Sequence, residues 1–215
     1  LYLAKPNKDI ISRFNEAYEI VYTPDLGQLY ELSFSLPLNL PTLEENKVNM
    51  NAEMIMEKMW IKKVTVDMPE EWFIITSRTF DMAEKKVSIT ARISAAGLSN
   101  ANIKGFDTTS VEHPEGLERT SWNLSEIIRT CIDMNEDTSW TLGYVDSKFD
   151  LKYREFSFEG GLGELVVAVA EKFGALVQYH TVTEKINFID AENSGINKGL
   201  MISDANYLKS LTKST

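Results

Sequence analysis

Residues 28–38, QLYELSFSLPL, decide the fold. Within them Leu29, Glu31, Ser33 and Ser35 alternate with Tyr30, Leu32, Phe34 and Leu36, and the even-numbered set is wholly apolar. Successive side chains on a strand point to opposite faces, so this run predicts a strand with one buried face. Pro37 and Pro41 end the pattern, since proline cannot donate to a strand ladder. Upstream, LYLAK (1–5), IISRF (10–14) and AYEIVYT (17–23) read as strands, with breaks at residues 6–9 and 24–27. Downstream, residues 39–53 read as a polar loop running into the Met-rich stretch Met50, Met54, Met56 and Met59, then Trp60. Three further strands follow: WIKKVTVDM (60–68), EWFIITSRTF (71–80) and KKVSITARI (85–93). The last pair is joined by a charged hairpin tip. The expectation is a mostly antiparallel β domain, closed or nearly closed.

Small and polar residues dominate from Ser94 to Gly116, and the boundary of this domain is placed near Gly105. Beyond it the period becomes helical. Leu124, Ile127, Ile128 and Cys131 are spaced as one helix face, with Asn123 as N-cap and Glu126 completing a capping box. Leu162, Leu165, Val166, Val169, Ala170 and Phe173 mark a second amphipathic helix, with Gly174 as its C′ residue. Short strands are expected at 139–145 and 154–160, and a hairpin at 175–190, giving a small α+β unit. Residues 199–214 read as strands returning to the β domain.

The 215 residues are 43% hydrophobic and 25% charged, which excludes a disordered tail, a collagen and a disulfide scaffold. A chain of this length buries about 70% of the surface it exposes when unfolded. The net charge of -10 gives no long-range attraction for phosphate and argues against nucleic-acid binding by charge neutralisation. Leu165 to Ala170 is the longest apolar run, far short of a membrane helix. The first residues lack the basic and apolar regions of a signal peptide. The chain is expected to be a piece of a longer one.

Candidate chemistry is thin. Asp133-Met134-Asn135-Glu136-Asp137 opens like a calcium loop, but Thr138 stands where the sharp turn needs glycine and Tyr144 where a bidentate glutamate is needed. Gly161-Leu162-Gly163 opens a helix after a strand, but Val166 takes the place of the third glycine of a dinucleotide site. His113, His180 and Cys131 form no nucleophile motif. The pairs Glu44-Glu45 and Glu70-Glu71 fall in expected loops, where acids are solvated. Trp60, Trp72, Trp122 and Trp140 could stack on sugars, but strand positions favour core packing for the first two. The adaptable Met-rich stretch suits a contact surface or loop packing.

The order of segments resembles that of phage and prophage tail-tip hub proteins, the prophage tail or tail-associated endopeptidase-like family. Tyr30, Glu31, Leu32, Ser33, Phe34, Ser35, Leu36 and Pro37 resemble the family's early strand, and residues 71–80 and 85–98 its next strands. Residues 124–145, with Trp140 and Gly143, resemble its helix followed by W-x-x-G. Residues 154–190 resemble its strand, helix and hairpin, closed by Phe173 and Gly174, and residues 206–214 the lead into a second lobe.

The resemblance implies an α+β, mainly β fold: an antiparallel barrel-like tube domain (1–105), an inserted α+β module (106–195), and return strands (196–215) leading to a second tube domain. It implies a homotrimeric ring joining the tail tube to the tip, touching the distal tail protein, other tail-tip proteins and the tape measure protein. DNA would pass through without specific binding, since acids on a wall repel phosphate within a Debye length of about 8 Å. The expected location is the virion tail tip, after assembly in the bacterial host cytoplasm. No enzyme activity, catalytic residue, metal or other cofactor is implied for these residues. Some large members of the family carry a C-terminal cell-wall-cleaving or receptor-binding region, and none of that is in these residues. The expected contact residues are Met50, Met54, Met56, Met59, Trp60, Tyr30 and Phe34. The alternative is a binding module for a host-surface glycan or protein, using Trp60, Trp72 or the Met-rich stretch. A cell-wall hydrolase is the third reading.

Overall fold

A computed structural model describes residues 1–22, 29–41, 46–66, 68–135 and 138–193. The first half supplies β1 (Tyr2–Ala4), β2 (Ile10–Arg13), β3 (Tyr18–Tyr22), β4 (Glu31–Pro37), β5 (Asn39–Pro41), β6 (Asn46–Val48), α1 (Met50–Met54), β7 (Trp60–Lys63), β8 (Glu71–Asp81) and β9 (Lys86–Ile93). Seven of these strands form one antiparallel sheet in the order β2-β1-β7-β8-β9-β4-β3. The alternation of β4 sets the register: Leu32, Phe34 and Leu36 lie opposite Ala91, Ile89 and Val87. All six are buried, and Ile61, Phe73, Ile75 and Leu3 continue the same core.

The two edge strands, β2 and β3, are neighbours in sequence with only residues 14–17 between them. That link reaches about 17 Å at full extension. A flat sheet of this order would hold its edges about 29 Å apart. The sheet therefore curls until its edges face one another. Phe14, in the link, packs on Phe34 of β4 with ring centroids 5.7 Å apart, closing the core from the open side. Of the expected closed or nearly closed domain, full closure is not found: β2 and β3 do not pair among the described residues. Asn51 of α1 sits beside the link instead, accepting from Ser12 Oγ at 2.5 Å and donating to Glu16 at 2.7 Å.

The polar loop expected at 39–53 is more ordered than its composition suggests. β5 and β6 pair as a hairpin, and Asn49 caps the short helix α1 with its side chain. The strand expected at 60–68 stops at Lys63.

The second half holds β10 (Asn102–Asp107), α2 (Leu124–Asp133), β11 (Thr141–Val145), α3 (Ser147–Asp150), β12 (Ser157–Gly161), α4 (Leu162–Phe173), β13 (Leu176–His180) and β14 (Lys185–Ile189). β10 pairs with β12, and β11-β14-β13 form a three-stranded sheet against which α2 and α4 pack. The capping box of α2 is complete. Glu126 N–H donates to Asn123 Oδ1 at 2.9 Å, and Asn123 N–H to Glu126 Oε2 at 2.8 Å. Gly174 ends α4 at φ +70°, the left-handed conformation glycine adopts without strain. The buried residues of both halves form one continuous cluster. Residues 194–215, with the expected return strands, lie outside the described residues. No helix among the described residues is long and apolar enough to cross a membrane.

Candidate interaction surfaces

The seven expected contact residues differ in exposure. Met50, Met54 and Met56 are exposed, at 57%, 38% and 55% of their surface, around α1. Phe34 and Met59 point into the core, because β4 turns its even-numbered face inward and Met59 precedes β7 at the core edge. Trp60 is half-buried. Its indole N–H donates to Pro6 O at 3.1 Å, Lys8 Nζ lies 4.9 Å from its ring, and it meets Trp72 edge-on at 6.3 Å.

Tyr30 belongs to a cluster that loop reasoning missed. Glu71 opens β8 and accepts from Tyr22 Oη at 2.6 Å, Lys63 Nζ at 2.7 Å and Tyr30 Oη. Both Lys63 and Glu71 are nearly buried, and they face each other across β7 and β8, the next pair on the same face after Ile61–Phe73. The expected solvated acid at Glu71 is therefore a core-face acid at the end of the sheet. The signal was present: Glu71, Phe73 and Ile75 share one strand face, as do Ile61 and Lys63. Burial, then the bonds to Glu71, pushes the hydroxyl pKa of Tyr22 and Tyr30 upward. The pair Glu44-Glu45 lies outside the described residues.

This cluster floors a cleft of about 300 Å³ between the large sheet and the β13–β14 hairpin. Two further contacts dock that hairpin. Trp72 N–H donates to Thr181 Oγ1 at 2.9 Å, and Lys8 Nζ pairs with Glu184 at 2.7 Å.

The other singled-out residues have structural surroundings. Cys131 is buried on α2, and burial pushes its thiol up to about 12. His113 is buried edge-on to Trp122 at 4.8 Å, and its Nδ1 accepts from Glu115 N–H at 3.1 Å. Gly161 and Gly163 let the start of α4 lie against Ser99. A Cβ at Gly161 would stand 3.1 Å from Ser99 O, and one at Gly163 2.9 Å from Ser99 Oγ. Glu136 and Asp137 lie outside the described residues, and among the described residues no three acids, histidines or cysteines gather to hold a metal. Trp72, Trp122 and Trp140 are buried.

Further exposed apolar side chains lie on the two edge strands, each paired on one side only among the described residues. Ile10 and Ile11 stand out from β2, and Tyr18, Ile20 and Val21 from β3. No sequence pattern separated these from buried strands, because edge position is set by the pairing of the whole sheet.

Residues 3–91 match the family model described as the YOMG N-terminal domain. Over 208 residues, 97% of this chain, the sequence is 26% identical to the SPbeta prophage-derived protein YomG of Bacillus subtilis (strain 168). The chain spans 22% of that relative's length. Among solved structures, prophage tail protein gp18 from Listeria monocytogenes EGD-e superposes with a TM-score of 0.62 at 11% identity, over 90% of this chain and 51% of that one. A 43 kDa tail protein of prophage MuSo2 from Shewanella oneidensis gives 0.47 at 12% identity, over 85% and 50%. The chain is thus similar along nearly its whole length to a prophage protein, and it has the fold of a prophage tail protein.

Proposed function

We propose that this chain is the leading part of a structural protein of a phage or prophage tail tip, working by assembly rather than by catalysis. The observation that carries the reading is the fold shared with a prophage tail protein over nine-tenths of the chain. The open sheet supports it from the residues upward. Edge strands that expose apolar side chains bind other strands unless something covers them. Among the described residues β2 and β3 are such edges.

In this reading residues 1–105 form one wall unit of a tube, residues 106–195 a module inserted in it, and residues 196–215 lead into a second wall unit. Three copies close a hub between the tail tube and the tip, meeting the distal tail protein, other tail-tip proteins and the tape measure protein. DNA passes through it. The exposed methionines around α1 and Tyr30 at the sheet end lie on the contact surfaces. The reading as a glycan-binding module gains no support from the tryptophans, which are buried or half-buried.

The test is the solution mass of the native-length protein, by light scattering across a concentration series. A trimer is expected. A monomer persisting at high concentration would overturn self-assembly and leave a part that joins the tail only through other proteins.

A further inference from the structure

The three-stranded sheet and its helices α2 and α4 adjoin the large sheet without a strand pair between the two sheets among the described residues. One tie is the 3-10 helix Ser94–Asn100, which follows β9 directly and packs on α4. It is close-packed, since a Cβ at Gly163 would stand 2.9 Å from Ser99 Oγ. The other tie is the turn of the β13–β14 hairpin. Thr181 Oγ1 accepts there from Trp72 N–H at 2.9 Å, and Glu184 pairs with Lys8 Nζ at 2.7 Å. Lys8 and Glu184 are both turn residues, at φ +66° and +53°, so each is presented by a tight turn. The Lys8 ammonium also lies 4.9 Å from the Trp60 ring and 5.9 Å from that of Trp72.

This second tie is thin. Protein interiors hold few voids larger than a water molecule, yet a cavity flanks the turn on each side. Thr181 lines the 300 Å³ cleft, and Glu184 lines a cavity of about 610 Å³. The larger cavity lies between the two ties. Ser94 and Gly97 of the 3-10 helix line it, with Trp140 from the second half and Trp60 and Ile74 from the large sheet. Each lining also includes a residue with a stranded hydroxyl. Ser94 Oγ at the larger cavity and Tyr179 Oη at the smaller are buried without a hydrogen-bond partner among the described residues. An unpaired buried hydroxyl opposes the closed arrangement, and water pairs it once the cavity opens.

We propose that the three-stranded sheet and its helices swing as a body on the 3-10 helix, with Lys8–Glu184 as the clasp that holds them against the large sheet. The clasp is a partly exposed ion pair, so its release costs little beside unfolding. Release joins the two cavities into one cleft and lets water reach Ser94 and Tyr179. The swing lies within one copy, so it holds whether or not the chain assembles.

The test is hydrogen exchange at the Trp72 amide, followed by NMR in the 215-residue chain, because that amide donates across the second tie to Thr181. Lys8→Met and Glu184→Gln should each speed it at least about five-fold, the rate equivalent of a strong exposed ion pair. Amides in β4 and α2 should keep their rates. Ser94→Ala removes a hydroxyl that closure strands, and should slow Trp72 exchange, which a tie with no opening motion would not show. Unchanged exchange at Trp72 in both clasp variants would overturn the proposal. Equal acceleration at Trp72 and in β4 would also overturn it, since that marks loosening of the whole fold. So would a Trp72 rate in Ser94→Ala at or above that of the unaltered chain.

Discussion

At the scale of single residues, Glu71 carries the most structure. Its carboxylate holds two tyrosine hydroxyls and a lysine at the end of an apolar sheet face. Glu71→Ala leaves the Lys63 ammonium nearly buried without its partner, and losing one member of a buried pair costs about 3–5 kcal/mol. Urea denaturation should show that loss, and adding Lys63→Met should recover much of it, since both charges then leave together. Glu184 makes a different prediction. Burial alone would raise its pKa, but hydrogen bonds from Lys8 and Ser139 outweigh burial and hold the carboxyl below the ordinary glutamate value. The folded chain therefore takes up this proton less readily than the unfolded chain. The contact stabilises fully above the ordinary glutamate range and is lost as pH falls from there through the lowered folded value. Denaturation midpoints measured into the acid range should fall less steeply for Glu184→Gln. The sequence made Glu184 visible as a turn residue but not its partner, because Lys8 lies 176 residues away.

At the scale of elements, local chemistry was legible wherever it is local. The box at Asn123 and Glu126 and the glycine stop at Gly174 are contacts among residues close in sequence, so spacing alone reveals them. Asn123→Ala should lower stability by about 1 kcal/mol, read from the thermal midpoint, because it leaves an N–H at the start of α2 unpaired. Strand alternation likewise gave the inner face of β4. What it could not give is order in the sheet. Short β2 and β3 carry exposed isoleucine and valine that read like any buried strand. The Met-rich stretch resisted reading because only five of its residues are helical, too few for a period to show. Glu70 is exposed ahead of the strand as expected, but Glu71, read as loop because Pro69 stands close before it, already belongs to the period of β8.

At the scale of the whole molecule, the curled sheet leaves two edges open among the described residues, where a barrel would have none. Val21→Lys on β3 should leave the fold intact, since Val21 is 56% exposed, and should lower the assembly mass seen by light scattering if that edge meets another copy. The long reach of the pairings has another consequence, for synthesis. β1 pairs locally with β2, and β4 with β3, but their second neighbours, β7 and β9, follow only about fifty residues later. A ribosome releases the chain from its N-terminus, and β1 to β4 must emerge with apolar faces uncovered until β9 is out. Pairings this distant in sequence form slowly, because the intervening loop must close before any contact rewards it. The nascent chain therefore presents its stickiest surface earliest and holds it longest, which makes it a natural client for a chaperone acting at the ribosome exit.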